Sequence, residues 1–490
     1  MADVRIRQDV WKLEQTEEWH PTLLWYAKAI AAMQGKPIND PTSWRYQAAI
    51  HDYVDGFDPL ATAADVLPSP DEQQRFWAQC QHFTWFFIPW HRMYLAFFEQ
   101  IVAKTVESLG GPSDWALPYW NYSDDSNPQA RLLPPAFRAT ELPDGSPNPL
   151  RVEERGIGVN EGEEFAFDSD VDLVTCLTEG DFISAPFGGD PGFGGRRTGF
   201  NHSGGAAGDL ERVPHGSMHV AVGGDFGWMS GFNTAPLDPI FWLHHCNLDR
   251  LWTVWLRRDG THVNPDEAQW LSSIKFDFHD ASGAPVQMTC AEVLDTTAEP
   301  LLYDYEDVTD PIGGGPEAVG GVSMEEEEGG TPEMVGATEQ PLTLTGEPAT
   351  TTVPVSQPTG PALEATAAPR RVFLNLENIR STGQPGGYKV YVNVPPGDNP
   401  EDHQELYAGL LPMFGVAESS DPARSHSGGS GLHYSLEITA IVRLLEERNT
   451  WDPNALNVTF VPRPRPTAGG LESTSARSPV QVGRVSLYYQ

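Results

Sequence analysis

The segment Leu237–Trp255, LDPIFWLHHCNLDRLWTVW, sets two adjacent histidines in the middle of a run too apolar to face water. Asp238 as N-cap and Pro239 at the first helical position open it as a helix, so His244 and His245 are committed to an interior. An imidazole taken out of water is costly unless its nitrogens find partners. A metal on one nitrogen and a hydrogen-bond acceptor on the other meet that need. Asp249, one turn after His245 on the same face, is the expected acceptor. A hydrogen-bonded core histidine is the ordinary alternative, and for His244 it is the preferred one.

The other histidines of the first half divide around this helix. In VPHGSMHVAV, His215 and His219 are spaced so that one helical turn stacks both rings on one face. Alone that spacing is weak, since two surface histidines show it as readily. In CQHFTWFFIPWHRMYLAFFEQIVAK, Pro89 suits the first turn of a helix running to about Lys104, with His91 in its opening turn. His82 lies about half a turn out of phase with His91 on a continuous helix, so it reaches the same ion only from a preceding loop. His51, closing the amphipathic stretch SWRYQAAIHDYV, completes this set in competition with His20 and His202. Imidazole suits copper, zinc and iron. The paired Glu-x-x-His motifs of a di-iron bundle are missing, and Gly216 stands where a zinc protease has glutamate. Two facing all-nitrogen sites leave open positions for a bridging diatomic, which points to copper with dioxygen.

Charge narrows the partners. Lys and Arg number 31 against 68 Asp and Glu, a net charge of −37, so the surface repels nucleic acid and anionic lipid. Asp3, Arg5, Arg7 and Asp9 interrupt any signal-peptide core, and no apolar run is long enough to span a membrane. Cys80, Cys176, Cys246 and Cys290 are too scattered for a disulfide framework. The expected location is cytoplasmic, with carrier-assisted export compatible. Most tryptophans fall before residue 306. From about Asp310 to Ala368 the chain turns to Gly, Pro, Thr, Ala and Glu, with the acidic run Glu325 to Glu328, and reads as an exposed linker. After Arg371, VFLNLENI, YKVYVNVP, LHYSLEITAIVRLL, ALNVTFVP and VGRVSLYYQ predict an antiparallel β-sandwich.

HFTWFFIPWHRMYL, PHGSMH and DPIFWLHHCNLDRLW closely resemble the type-3 copper proteins: tyrosinases, catechol oxidases and molluscan-type haemocyanins. The resemblance implies a mainly α catalytic domain over residues 1–309, a four-helix bundle with long loops around a dicopper site, then the 310–368 linker and an all-β lid over 369–490. It implies His51, His82 and His91 on copper A, and His215, His219 and His245 on copper B. Cys80-Gln81-His82 resembles the element whose cysteine sulfur becomes bonded to the ligand imidazole. Glu211 matches a carboxylate that holds a water and assists phenol deprotonation. Phe232 matches the gate over copper A, and Phe241 an aromatic beside the copper B ligands. Gly216 departs from the asparagine of efficient monophenol hydroxylases, and Val220 adds no polar group after His219. Tyr303-Asp304-Tyr305 resembles the element that closes the catalytic domain, and Phe414 or Met413 the plug that a lid inserts. The implied activity is oxidation of catechols to o-quinones by dioxygen, with at most weak monophenol hydroxylation, in a latent enzyme covered by its own lid. The alternatives are a reversible dioxygen carrier and an o-aminophenol oxidase. A single copy of the unit favours the enzyme.

Overall fold

The computed structural model describes residues 4–490 apart from 17–18, 186, 226, 314–330, 357–370, 425–427, 453, 464–465, 468–469 and 472–477. Five of the helices in the first half frame its centre: α1 (Pro21–Gln34), α2 (Trp44–His51), α3 (Phe87–Ser108), α4 (Ser217–Gly223) and α5 (Ile240–Arg257). Every α5 residue from Ile240 to Trp255 is buried, as is α3 from Phe87 to Glu99. Helices apolar on all sides belong at the centre of a domain, and α3 accordingly packs against both α1 and α5. The Phe98 and Trp242 rings stack between them with centroids 3.4 Å apart.

Helix starts differ by a residue or two from expectation. α3 begins at Phe87 rather than at Pro89, because the third helical position needs no backbone N–H from its residue. It runs on to Ser108, about one turn beyond Lys104. At α5 the helix begins at Ile240. The Asp238 carboxylate still accepts from the Ile240 N–H at 3.2 Å and is fixed by the buried Arg155 guanidinium at 2.7 and 2.8 Å. The His215–His219 segment is less regular than a single helix. Glu211–Gly216 is a wide helical turn kinked at Val213 (φ −139°, ψ 124°), and α4 follows it.

Strand β1 (Arg5–Arg7) pairs in parallel with β2 (Tyr303–Tyr305), so the YDY segment closes the helical half by returning to the chain start. The main strands of the C-terminal half are β3 (Glu333–Ala337), β4 (Leu342–Leu344), β5 (Ala349–Pro354), β6 (Val372–Ile379), β7 (Tyr388–Val392), β8 (Tyr407–Leu411), β9 (Leu432–Glu437), β10 (Ala455–Pro462), β11 (Val480–Val482) and β12 (Arg484–Tyr489). One sheet runs β8-β7-β10-β5, and the other runs β9-β6-β12-β3. Gly205–Ala206 of the helical half adds to the β9 edge in parallel, so one sheet crosses the boundary between the two halves.

The linker expected over 310–368 is corrected in its middle, where β3, β4 and β5 lie. In ATTTVP, alternate residues are less exposed and Val353 is fully buried, a period-two pattern of small residues. β3 and β5 each end a sheet that turns one face outward, so each needs large apolar residues on its inner face alone. The acidic run Glu325 to Glu328 lies outside the described residues. Among the described residues, no helix is long and apolar enough to cross a membrane.

Candidate metal centre

Six imidazoles form two opposed triads at the heart of the helical half. His51 ends α2, His82 lies on the loop before α3, and His91 sits within α3. Their ring centroids are 5.1, 5.2 and 5.7 Å apart. His215 from the kinked turn, His219 from α4 and His245 from α5 stand 4.6, 5.2 and 5.5 Å apart. The triads meet face to face. His91 stacks on His245 at 4.4 Å and 10°, and His82 is 5.7 Å from His215.

Nδ1 of most of these rings is tied to the protein. His51 donates to the Phe232 carbonyl (2.9 Å), His91 to Phe87 (2.7 Å), His215 to Glu211 (3.1 Å) and His219 to Met229 (2.7 Å). A carbonyl only accepts, so Nδ1 carries the hydrogen and Nε2 keeps the lone pair. Burial pushes these imidazoles below their ordinary range, His91 and His219 to about 3, so the rings are neutral. Nε2 of His51, His82, His91 and His215 is buried with no hydrogen-bond partner among the described residues. Nε2 of His219 faces Nε2 of His245 at 3.3 Å. Inward-pointing neutral nitrogens without partners fit metal coordination and fit little else at this depth. The all-imidazole donor set suits copper.

The surroundings correct two expectations. Asp249 does not hold His245. Its carboxylate accepts from Arg92, from Arg7 (3.3 Å) and from the hydroxyls of Tyr303 and Tyr305 (2.6 Å each). Two buried guanidiniums outbid a neutral imidazole, because charge-assisted bonds are the stronger ones. His245 is instead held between Phe241 at 4.2 Å and His91 at 4.4 Å, and its Nδ1 has no partner among the described residues. His244, by expectation a hydrogen-bonded core histidine, has no partner for either nitrogen among the described residues. One nitrogen each from His215, His219, His244 and His245 lies within 4.8 Å of the others.

His20 and His202, the competitors of His51, lie outside the triads. His20 opens α1, where its Nδ1 accepts from the Thr22 N–H at 3.2 Å. His202 stands behind Cys80, whose sulfur is 3.2 Å from His82 Nδ1 and 3.2 Å from His202 Nδ1. Burial pushes the Cys80 thiol well up, with Asp52 and Glu211 adding to the effect. His202 Nε2 is 3.2 Å from Asp52, which also accepts from Arg424 of the C-terminal half. Burial opposes the Asp52 charge, but His202 and Arg424 hold its carboxyl below the usual range. Nothing in the sequence pattern singled out Asp52 beyond its place next to His51.

Glu211 is buried, and both its carboxylate oxygens accept from the Phe83 N–H (2.8 and 2.9 Å). Burial drives its carboxyl well above the usual range, against that hydrogen bond. The Phe232 ring stacks on His82 at 4.3 Å. Val220 is buried on α4. From the C-terminal half, Phe414 stacks on His219 at 4.0 Å and 11° and lies 5.3 Å from His215 and 4.9 Å from Phe232. Of the two plug candidates, Phe414 makes these ring contacts, while Met413 is buried beside it with φ 67°. At Gly216 a Cβ would lie 3.1 Å from Pro412 Cγ and 3.5 Å from Phe414 Cβ. Gly415 (φ 75°) gives the same segment room, since a Cβ there would lie 2.5 Å from the Phe232 ring. Arg371–Asp190 and Arg463–Asp170 ion pairs also cross between the halves.

Family comparison agrees with this geometry. The common central domain of tyrosinase matches residues 41–187 and 181–258, and the polyphenol oxidase middle domain matches 264–312. A domain of unknown function matches 331–490. The chain is 36% identical to tyrosinase HcTyr1 of Hahella sp. (strain CCB-MM4) over 99% of both chains. It is 31% identical to the latent form of a chloroplastic polyphenol oxidase of Prunus armeniaca, over 58% of this chain and 46% of that one. The structure of latent apple tyrosinase superposes with a TM-score of 0.62 at 23% identity, covering 99% of this chain and 97% of the other, and has the same fold.

Proposed function

Because the chain belongs to the tyrosinase family of type-3 copper oxidoreductases, we propose that it oxidises catechols to o-quinones with dioxygen and that its C-terminal half holds it latent. The observation that carries this reading is the pair of opposed imidazole triads, their Nε2 lone pairs inward, beneath the Phe414 ring. His51, His82 and His91 hold copper A, and His215, His219 and His245 hold copper B. When bound, the two coppers activate dioxygen and accept electrons from the diphenol.

The protein's own groups do the rest. Backbone carbonyls fix the tautomers of four rings, which leaves their Nε2 atoms free for metal. Cys80 and His82 join as a thioether that pins the His82 ring. Glu211, its carboxyl driven up by burial, takes and returns a phenolic proton. Phe232 offers a substrate ring its face over His82. Gly216 brings no side-chain amide to orient a water beside Glu211, which favours diphenols over monophenols. Phe414 occupies the stacking position above His219 that an aromatic substrate needs, so the C-terminal half must move before turnover.

The test is to load the full chain with copper, trim a second sample with protease, and follow quinone absorbance with catechol, tyrosine and 2-aminophenol. Catechol turnover that rises on trimming is expected. Rapid tyrosine oxidation without a lag would overturn the reading of Gly216. Preferential turnover of 2-aminophenol would move the substrate class. Reversible dioxygen uptake without turnover of any of the three would make the protein a carrier.

A further inference from the structure

We propose that His202, oriented by Asp52, is the base that takes the thiol proton of Cys80 when its sulfur bonds to a ring carbon of His82. The inference rests on the Cys80–His82 thioether of the preceding reading, and it adds the residues that make the bond form. Cys80 is fully buried, so its thiol has no water to receive the proton. Its sulfur lies between two imidazoles, 3.2 Å from Nδ1 of His82 and 3.2 Å from Nδ1 of His202.

The hydrogen-bond chain behind His202 sets its polarity. Asp52 is 3% exposed and accepts from the Arg424 guanidinium on one oxygen, while its other oxygen is 3.2 Å from His202 Nε2. A carboxylate held in this way only accepts, so Nε2 donates to it, and Nδ1 is the ring nitrogen that faces the sulfur. After Nδ1 gains the proton, the Cys80 carbonyl oxygen, 3.1 Å away, accepts from it and stabilises the cation. Carboxylate, imidazole and sulfur thus stand in the order that activates a thiol as nucleophile.

The step balances. A C–S bond forms, and the S–H of Cys80 and one C–H of His82 break, releasing two protons and two electrons. The thiol proton goes to His202 and the ring proton to the reduced dioxygen. Copper held by the six histidines would accept the two electrons and hand them to dioxygen, which would leave with these two protons as hydrogen peroxide.

The experiment gives copper(II) and air to copper-free, full-length protein. Peptide mass spectrometry then follows the loss of two hydrogens from the segment holding Cys80 and His82, alongside copper content and catechol turnover. The wild-type chain is expected to cross-link. His202→Gly is expected to do so about a hundredfold more slowly at unchanged copper content, with added imidazole restoring part of the rate. Asp52→Asn slows it less, and it decides the matter if His202→Gly does not fold. A wild-type rate in His202→Gly or, failing that variant, in Asp52→Asn overturns the proposal. So does a slow His202→Gly rate that imidazole leaves unchanged, or a wild-type chain that never loses the hydrogens. Absent quinone formation by the cross-linked protein would instead sink the catechol reading and leave the cross-linking result standing.

Discussion

The two triads use the same side chain and are held in different ways. The His51, His82 and His91 set draws on a helix end, a loop and a helix interior, and each Nδ1 has a named partner: Phe232, Cys80 and Phe87. The His215, His219 and His245 set is helical throughout, and its third member is positioned by packing alone, between Phe241 and His91. The C-terminal half leans on the second set. Phe414 stacks on His219 at 4.0 Å but stands 6.1 Å from His82. Each site has two rings held by backbone carbonyls, and they differ in the third, which meets a sulfur in the first site and is held by stacking in the second. The C-terminal half meets the second set through the Phe414 ring, and the first only from behind, through Arg424 on Asp52.

Removing a ligand tests the comparison most severely. His91→Ala and His245→Ala are each expected to lower copper from two to one per chain and to reduce catechol turnover by about a thousandfold or more, read by metal analysis and initial rates. The comparison breaks if His245→Ala keeps two coppers and the His244→Ala/His245→Ala double variant loses one. His244, with both nitrogens unpartnered and within ligand reach, would then be a working donor.

Next in size is the cover. Phe414→Ala is expected to raise kcat/KM for catechol in the untrimmed chain by roughly tenfold, the equivalent of one lost aromatic stack. Unchanged kinetics would show that the ring does not gate access. Gly216→Ala probes the same contact from beneath. Its Cβ would press on Pro412 at 3.1 Å, so the segment carrying Phe414 must give way. A rise of about two- to fivefold is expected, smaller than for Phe414→Ala because a backbone shift of a few tenths of an ångström loosens the plug without removing it. A fall in activity would mean that the new methyl obstructs substrate rather than the cover.

The sequence made the ligands readable because histidines in an aromatic helix have few physical excuses, and because Pro89 forces a loop at His82. It misled where spacing stood in for competition. Asp249 is correctly placed for His245 by the helical period, but Arg7, far away in sequence, and Arg92 claim it, and no local pattern announces a long-range charge pair. The composition of 310–368 points to a linker, whereas its local alternation carries strands. ATTTVP is poor in large residues yet keeps the strand period with Val353 inward. His202 reads as a rival ligand in the sequence, since only the fold shows it turned toward Cys80 and Asp52.

The smallest expected effect is on the pH dependence of stability. His91 and His219, one from each triad, are both pushed by burial from the ordinary 6.5 to about 3. In copper-free protein the unfolded chain therefore binds a proton at each position as pH falls through about 6.5, while the folded chain refuses it until about 3. More protons on the unfolded state mean that stability falls with falling pH across that window. Each histidine contributes up to about 1.4 kcal/mol per pH unit to the slope. His91→Asn and His219→Asn should flatten the urea-unfolding stability profile by equal amounts, because burial leads the shift at both positions although their neighbours differ. Unequal flattening would mean that water reaches one triad in solution. If that triad is the one under Phe414, the cover opens without proteolysis.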